Sequence, residues 1–420
     1  MYGSVPTTPK SLDDYRQVVG DKVVEEIRML AAPFQGARVL HLGITAFGTG
    51  IAELLGSLVP LMDDVGMKTD WQVIRTTPEF ADVSKAMYSA LGGFFVPWSP
   101  EMENTWLAYS SLNARLFDED YDFVVVHDPQ PAAILHEIVR LEGGKPAGRW
   151  IWHCHLDLTE AQAEVWDLLK PYVNEYDAAV FASEEWVKLD VDVPSAVVIP
   201  PSIDPLNSKN MDVSNATIRS VLERYGLDSG RPIMCQVSRF DQWNDPLGVI
   251  DAYKLAKQQI AELQLVLVAS MVSDDPESWS YYERCVRRAG EDYDIHLLSQ
   301  LNNIGNTEIN VFQRAADVIV QKSIRKGFGL GIAEALWKGR PVVAGRVGGF
   351  PLQVIDGVTG YLVSSVAECS EKVVYLLRNP EIARRMGQTG RDFIREKRLI
   401  TRFLRDYLQL FGSLKCAGLQ

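Results

Sequence analysis

The sequence has no long apolar run, few cysteines and no excess of positive charge. None of its apolar runs reaches the roughly 20 residues of a membrane-spanning helix, and no signal peptide is recognised, so we expect no membrane association. The formal net charge of −13 disfavours general binding to nucleic acid or to an anionic membrane surface. An anionic ligand would therefore need a local basic pocket.

The cysteines are odd in number and scattered without the spacing of a metal site: Cys154, Cys235, Cys285, Cys369 and Cys416. Buried, reduced thiols in a cytoplasmic protein are the expected state, and no metal ligand set is expected. No serine lies in a nucleophile-elbow setting, and neither glycine turn completes the three-glycine dinucleotide fingerprint. These absences disfavour a serine hydrolase and a Rossmann dehydrogenase.

What is present is the pattern of a multidomain α/β protein of 420 residues, of which 47% are hydrophobic. Short β-branched runs, such as 122–126 and 265–269, alternate with helical patterns in both halves of the chain, which predicts two doubly wound parallel sheets. Three prolines within 200–205 cannot lie inside a sheet or a helix, so we place a linker there. The predicted domains are residues 1–202 and 203–395, followed by a helical segment over 396–415.

Polar residues follow two predicted strands of the first half. Asp128 and Gln130 come after the strand 122–126, and His155 and Asp157 come after the strand 150–153. Loops at the carboxyl ends of parallel strands carry ligands, so these residues are candidates for a binding site. A structural role stays open for each histidine, and His153 has the same claim by position as His155. Two further histidines of the first half, His41 and His136, are assigned to packing or to the surface.

Each half also contains a strand, a glycine turn and a helix in succession. Gly48, Thr49 and Gly50 follow the strand 38–42, and the segment 327–330 (Gly327, Phe328, Gly329 and Leu330) follows the strand 317–321. Unpaired N–H groups at such a helix N-terminus bind anions, although the glycines could equally serve only to close a turn.

Two charged side chains of the second half are candidates for ligand contacts. Arg239, at the end of a predicted strand, could bind a diphosphate with its guanidinium or could pair with Asp241. Glu334 lies in the helix after the glycine turn, where it could accept hydroxyl hydrogen bonds or simply favour the helix dipole.

The segment GFGL, with Glu334 in the next turn, WKGRPVVAGRVGG and DGVTGYLV, resembles the nucleotide-sugar site of retaining GT-B glycosyltransferases. With FGTGIAELL, VVVHDPQPAA, WIWHCHLDL, PPSIDPL and QVSRFDQW, the chain from residue 12 to 411 resembles the trehalose glycosyltransferring synthases of that family. The resemblance implies a GT-B fold: two Rossmann-like domains face a central cleft, and the last helix crosses back to the first domain.

The resemblance also implies an activity, the joining of glucose from UDP-glucose or ADP-glucose to free glucose, reversibly and with retention at the anomeric carbon. It implies small-molecule partners, with no nucleic acid and no membrane, and a cytoplasmic location. No cofactor is required by the fold. Stimulation by Mg²⁺ and formation of a homodimer are left open.

By the same resemblance, donor binding is assigned to Gly48, Thr49, Gly50, Arg239, Asn244, Lys326, Gly327, Phe328, Gly329, Leu330 and Glu334. Arg239 would grip the diphosphate, and Glu334 would hold the ribose. Acceptor binding is assigned to Asp128, Gln130, His155 and Asp157, with His155 beside the reacting sugar. The residues assigned to catalysis are His155, Arg239, Lys326 and Glu334.

Two positions depart from the family pattern. Asn244 stands where a lysine usually joins the arginine on the diphosphate, and Lys326 stands where an acidic residue usually precedes GFGL. Lys326 could supply the phosphate contact that Asn244 cannot, but it cannot accept hydrogen bonds from sugar hydroxyls. These departures leave open slow or altered transfer, a related transferase or a phosphorylase with another acceptor, and a non-catalytic protein that binds a nucleotide sugar.

Overall fold

The computed structural model describes residues 2–270, 276–325 and 327–417. The chain divides into two units, residues 1–202 together with 399–420 (unit 1) and residues 203–398 (unit 2). Each unit is built on its own sheet. Within the described ranges, every helix is too short or too polar to cross a bilayer.

The sheet of unit 1 is parallel except at one edge. Its strands, in the part of the chain described, are β1 (Gly3–Ser4), β2 (Arg38–Gly43), β3 (Lys68–Val73), β4 (Phe123–His127), β5 (Arg149–His153), β6 (Ala178–Phe181) and β7 (Ala196–Val198). Their order is β1-β3-β2-β4-β5-β6-β7, with β1 antiparallel to β3. All five residues of β4 are buried, because β2 and β5 flank it and helices cover the sheet.

Helices on both faces of this sheet supply the core of unit 1. They are α1 (Arg16–Val19), α2 (Asp21–Ala31), α3 (Gly50–Asp64), α4 (Pro78–Leu91), α5 (Pro100–Ala114), α6 (Ile134–Glu142) and α7 (Ala163–Val173). Short 3-10 helices cover Leu12–Tyr15, Ala32–Phe34 and Glu184–Trp186. The indoles of Trp106, Trp150 and Trp152 are fully buried.

Unit 2 has an entirely parallel sheet. Its strands among the described residues are β8 (Ile233–Arg239), β9 (Gln264–Ser270), β10 (Ile295–Ser299), β11 (Val318–Gln321), β12 (Val342–Gly345) and β13 (Gly360–Val363), in the order β10-β9-β8-β11-β12-β13. Its helices are α8 (Asn215–Arg224), α9 (Pro246–Lys257), α10 (Pro276–Ala289), α11 (Asn306–Ala315), α12 (Leu330–Trp337), α13 (Val366–Arg378) and α14 (Pro380–Lys397), with a 3-10 helix at Gln300–Asn302.

The last helix, α15 (Ile400–Ala417), belongs to unit 1 and packs against α2 and α3. The sequence predicts this helix from its apolar stripe over 399–411, and the structure extends it by about two turns. Phe411 stacks on Phe123 of β4 with 4.1 Å between the ring centroids. The aromatic residues of α15 therefore complete the core beside the central strand of unit 1.

Most predicted elements are confirmed, with shifts at their ends. The predicted N-cap Ser214 accepts a hydrogen bond from the backbone N–H of Thr217 at 3.1 Å, so α8 begins where the sequence indicates. The strand predicted over 71–75 is instead Lys68–Val73, because it pairs along the full length of β2. Pairing partners, which local propensity does not contain, set such boundaries.

In each sheet the chain adds strands first on one side of an early strand and then on its other side, and we call this strand the point of reversal. In unit 1, β2 lies between β3 and β4, and in unit 2, β8 lies between β9 and β11. Ligands of doubly wound folds bind in the crevice at the carboxyl ends of the strands next to this reversal. The glycine turn after β2 and the loop after β4 meet this condition in unit 1, as do the loops after β8 and β11 in unit 2.

Candidate active site

The glycine turn of unit 2 is supported from behind by close packing. Gly329 has φ 75°, a left-handed conformation that suits glycine, and it is the N-cap of α12. A Cβ added to Gly349 would lie 2.6 Å from the Cα of Phe328, so only glycine allows this approach. The Gln353 side-chain amide donates to the carbonyl oxygens of Phe328 and Gly329. The turn therefore presents the start of α12 in a fixed position, as an anion site requires.

At the end of β8, Arg239 and Asn244 have different surroundings. The side chain of Arg239 is 56% exposed, and its Nε lies 3.7 Å from a carboxylate oxygen of Asp241. Asn244 is buried, and its Nδ2 lies 2.8 Å from both carboxylate oxygens of Asp241. Arg239 is thus accessible to a ligand in unit 2, whereas Asn244 braces its own loop. Lys326, the second position that departs from the family pattern, lies outside the described residues.

Glu334, on α12, lies in a buried group of charged side chains. Its carboxylate lies 3.0 Å from Nζ of Lys209. Nζ of Lys338 donates to Asn210 Oδ1 at 3.0 Å and to Gln313 Oε1 at 2.6 Å. Burial would raise the pKa of Glu334, but the charges of Lys209 and Lys338 outweigh it and lower that pKa. Burial also lowers the pKa of Lys338 to about 7. Glu334 is therefore ionised and is held in place by Lys209.

The glycine turn of unit 1 is open at its surface. Gly48 has φ 78°, and a Cβ added to it would meet nothing within 4 Å. Thr49 is the N-cap of α3 and accepts a hydrogen bond from Ala52 N at 3.2 Å. Gly50 begins the helix. A helix N-terminus with this capping leaves its first N–H groups available to an anion in the space beside Gly48.

Asp128 combines unusual backbone geometry with burial. Its φ is 66°, a left-handed conformation that is uncommon for a residue with a Cβ and is often found at functional sites. Its Oδ1 accepts from the backbone N–H of His155 at 2.9 Å, and its carbonyl oxygen accepts from Trp152 Nε1 at 2.9 Å. Burial raises the pKa of its carboxyl group to about 7. The carboxyl group therefore fixes the loop that carries His155.

Gln130 and Asp157, the other two residues assigned to the acceptor, differ in orientation. Gln130 is buried, and its Oε1 has no hydrogen-bond partner among the described residues. Asp157 accepts from the N–H and the hydroxyl of Thr159, at 3.0 and 2.6 Å, and so turns towards its own loop. A buried acceptor without a partner is costly, which makes Gln130 the better candidate for a ligand contact.

The strand ends of unit 1 also bring together four buried histidines that the sequence does not single out as a group: His41, His127, His153 and His155. The structure places His41 and His127 in hydrogen bonds that lead to His155. Nδ1 of His153 instead contacts the hydroxyl of Tyr407 on α15. Strand assignments could have indicated that 127, 153 and 155 share one sheet edge, but nothing local indicates the contact with His41.

One ring nitrogen from each of His127, His153 and His155 lies within 4.8 Å of the other two, and at this separation three nitrogens could share one metal ion. The rings of His153 and His155, however, are stacked with 4.0 Å between centroids and 19° between planes. A metal ion lies in the plane of each imidazole that binds it, at about 2.0–2.1 Å from the nitrogen. Two nearly parallel rings cannot both satisfy this condition, so the histidine arrangement does not fit a metal site.

Two family models match the chain: "Trehalose synthase, N-terminal domain" over residues 41–188 and "Glycosyl transferases group 1" over residues 218–393. Among solved structures, sucrose-phosphate synthase of Thermosynechococcus elongatus matches with a TM-score of 0.71 and 18% identity, over 91% of this chain and 100% of that chain. An α,α-trehalose-phosphate synthase of Burkholderia xenovorans matches with a TM-score of 0.73 and 13% identity, over 90% and 100%. The fold class is that of the GT-B glycosyltransferases, as predicted.

Sequence relatives place the chain more closely. Trehalose synthases of Thermococcus litoralis and Rubrobacter xylanophilus are each 44% identical to it, over 406 and 409 residues that cover 96% of this chain and 97% of each relative. A trehalose phosphorylase of Grifola frondosa is 23% identical over 84% of this chain and 53% of its own length. The chain belongs to the trehalose synthase family, which confirms the resemblance found in its motifs.

Proposed function

We propose that this glycosyltransferase makes trehalose from a nucleotide-diphosphate glucose and free glucose, reversibly and with retention at the anomeric carbon. The observation that carries the proposal is the 44% identity to trehalose synthases along 96% of the chain. Both glycine turns and Arg239 are present in this chain at the strand ends beside β2 and β8, and Glu334 lies in the helix that follows the second turn. UDP-glucose and ADP-glucose are the proposed donors.

In unit 2, the start of α12 and the guanidinium of Arg239 are proposed to bind the donor diphosphate, where positive charge stabilises the departing group. The ionised carboxylate of Glu334 is proposed to accept hydrogen bonds from the ribose hydroxyls. Both contacts use groups whose neighbours fix them: Gln353 holds the turn, and Lys209 holds Glu334. The contribution of unit 2 is then binding and electrostatic stabilisation.

In unit 1, His155 and Gln130 are proposed to bind a sugar through its hydroxyl groups. The reaction breaks the bond between the anomeric carbon and the diphosphate oxygen and forms a bond from that carbon to a hydroxyl oxygen of the acceptor glucose. The hydroxyl proton passes to the leaving diphosphate on the same face of the sugar. No side-chain nucleophile is needed, so the protein acts by orientation and electrostatics.

The first experiment is incubation of the purified chain with glucose and either UDP-glucose or ADP-glucose, with and without Mg²⁺. Release of the nucleoside diphosphate is measured, and the disaccharide is identified by NMR. We expect α,α-trehalose from at least one donor. Donor binding without any disaccharide would reject the proposal and favour a non-catalytic binder. The variant Arg239→Gln tests the proposed diphosphate contact and should lose most of its affinity for the nucleoside diphosphate.

A second candidate function is a phosphorylase, favoured by the more distant similarity to a trehalose phosphorylase. Trehalose cleavage is therefore measured with a nucleoside diphosphate and, separately, with inorganic phosphate. Formation of a nucleotide sugar supports the transferase. Formation of glucose phosphate from inorganic phosphate alone supports the phosphorylase.

A further inference from the structure

Three histidines of unit 1 are hydrogen-bonded end to end. Nδ1 of His41, on β2, lies 3.0 Å from Nε2 of His127, at the end of β4. Nδ1 of His127 lies 3.0 Å from Nε2 of His155, in the loop after β5. The exposed fraction rises along this histidine chain, from 0% at His41 and 1% at His127 to 9% at His155. The histidine chain therefore runs from the core of unit 1 to the loop after β5.

The hydrogen bonds restrict where the protons can be. A neutral imidazole has one N–H group, and each of the two nitrogen-to-nitrogen contacts needs one proton between its atoms. Only two arrangements satisfy both contacts. In the first, all three histidines carry the proton on Nε2, and Nδ1 of His155 is bare. In the second, all three carry it on Nδ1, and Nε2 of His41 is bare.

The buried end of the histidine chain distinguishes the two arrangements. Nε2 of His41 lies 3.4 Å from the sulfur of Met62, on α3. A thioether sulfur has no proton to donate and is a weak acceptor. The second arrangement would set two lone pairs against each other in the core, whereas the first directs an N–H at an acceptor. Met62 therefore selects the arrangement with the proton of His41 on Nε2.

We propose that Met62, His41 and His127 hold His155 with its Nδ1 unprotonated, as a hydrogen-bond acceptor for a hydroxyl group of a neutral sugar. This inference rests on the proposed function only in assigning a sugar to the site beside His155. The hydrogen bonds of His155 to other described residues use its Nε2 and its backbone N–H, and none uses Nδ1. A hydroxyl can donate to it, but the oxygens of a sugar phosphate or a carboxylate would meet its lone pair.

Burial keeps these rings neutral, which preserves the selection at ordinary pH. It lowers the pKa of His41 and of His155 to about 3. Burial also lowers the pKa of His127 well below its usual value, as do the neighbouring imidazoles of His41 and His155. A cationic His155, which would attract a phosphate, is therefore excluded near pH 7. His41, His127 and Met62 act through His155 and are positioning residues.

The direct test is nitrogen NMR of the full chain labelled at its histidines. The sequence has 6 histidines. Assignment is simplified with the variants His136→Gln and His296→Gln, which lie outside the histidine chain. We expect His41, His127 and His155 each to show a protonated Nε2 and a bare Nδ1. A protonated Nδ1 on His155 would overturn the proposal. This measurement needs no turnover, so it is separate from the test of trehalose formation.

A second test replaces the sulfur. Met62→Leu keeps a similar volume but removes the acceptor, and Met87→Leu is the matched control because both methionines are fully buried in unit 1. We expect Met62→Leu to lose the single tautomer and to raise KM by about fivefold, the effect of one hydrogen bond, with kcat less affected. Whether the KM for the glucose acceptor or the KM for the nucleotide-sugar donor rises tells which of the two sugars His155 contacts. An unchanged tautomer and unchanged KM values would overturn the proposal.

Discussion

Nζ of Lys209 lies 3.0 Å from Oε1 of Glu334, and the side chains are only 15% and 2% exposed. The pair joins the segment before α8 to the helix that follows the glycine turn of unit 2. An exposed ion pair contributes little to stability, but a buried charge whose partner is removed is strongly destabilising. The pair therefore links the stability of unit 2 to the orientation of a proposed ligand group.

The variant Lys209→Met is expected to lower the free energy of unfolding by about 3 kcal/mol, the lower end for a broken buried pair, because Lys338 still faces Glu334. Denaturant unfolding measures the change. Arg384→Met, which breaks an exposed pair with Glu381, is the control and should leave the midpoint unchanged. Equal midpoints for Lys209→Met and the wild type would show that the buried pair is not needed.

Acid should destabilise unit 1 through its buried histidines. The folded-state pKa of His41 and of His155 is about 3, below the ordinary 6.5, so the unfolded chain binds more protons between these values. Their contribution to stability is complete above pH 6.5 and is lost as the pH falls towards 3. Asp128 has the opposite sign, because its raised pKa of about 7 stabilises the fold as the pH falls from 7 to 3.8.

Denaturant unfolding at pH 7 and pH 5 measures this balance, in which four buried histidines outweigh one carboxyl group. Each histidine contributes a slope of about 1.4 kcal/mol per pH unit where its two states differ by a full proton. His41→Asn should show a smaller loss between these pH values than the wild type. Met87→Leu, a buried substitution in unit 1 that removes no titratable group, should keep the wild-type loss, and equal losses in all three proteins would contradict the account.

Removal of the hydroxyl of Tyr407 should weaken the attachment of α15 to the sheet. Tyr407→Phe leaves Nδ1 of His153 without its contact, and Nε2 of His153 already has no partner among the described residues. An unsatisfied buried group costs about 1–3 kcal/mol, which denaturant unfolding can detect. Tyr293→Phe is the control, since Tyr293 is 91% exposed. A loss of stability in the control of the same size would reject the role of the buried hydroxyl.

The double variant Asn244→Lys with Lys326→Glu tests the two departures from the family pattern. It restores a cation for the diphosphate and a carboxylate for sugar hydroxyls, so turnover should rise. The single variant Asn244→Lys should do less, because it leaves Lys326, which cannot accept hydrogen bonds from sugar hydroxyls, in place of the carboxylate. The measurement is the rate of trehalose formation by the wild type, the single variant and the double variant. A double variant that is no faster than the wild type would show that Lys326 is tolerated.

The sequence by itself determined the elements and the positions of the glycine turns. Apolar periodicity and β-branched runs predicted the alternating strands and helices, and Ser214 marked the start of α8, because these features depend on neighbours a few residues away. Motifs also indicated the fold and the family. Arg239 and Glu334 were candidates because their places after a strand and in a helix are local properties.

Only the tertiary structure decided how the candidates are held. It turned Asn244 into its own loop, paired Glu334 with Lys209, and connected His155 through His127 and His41 to Met62. His41 and His127 are 86 residues apart in sequence and 3.0 Å apart in space. Such contacts depend on which strands become neighbours in the sheet. A side chain's hydrogen-bond partners, and therefore its protonation and its chemistry, are set by that long-range pairing rather than by the residues beside it.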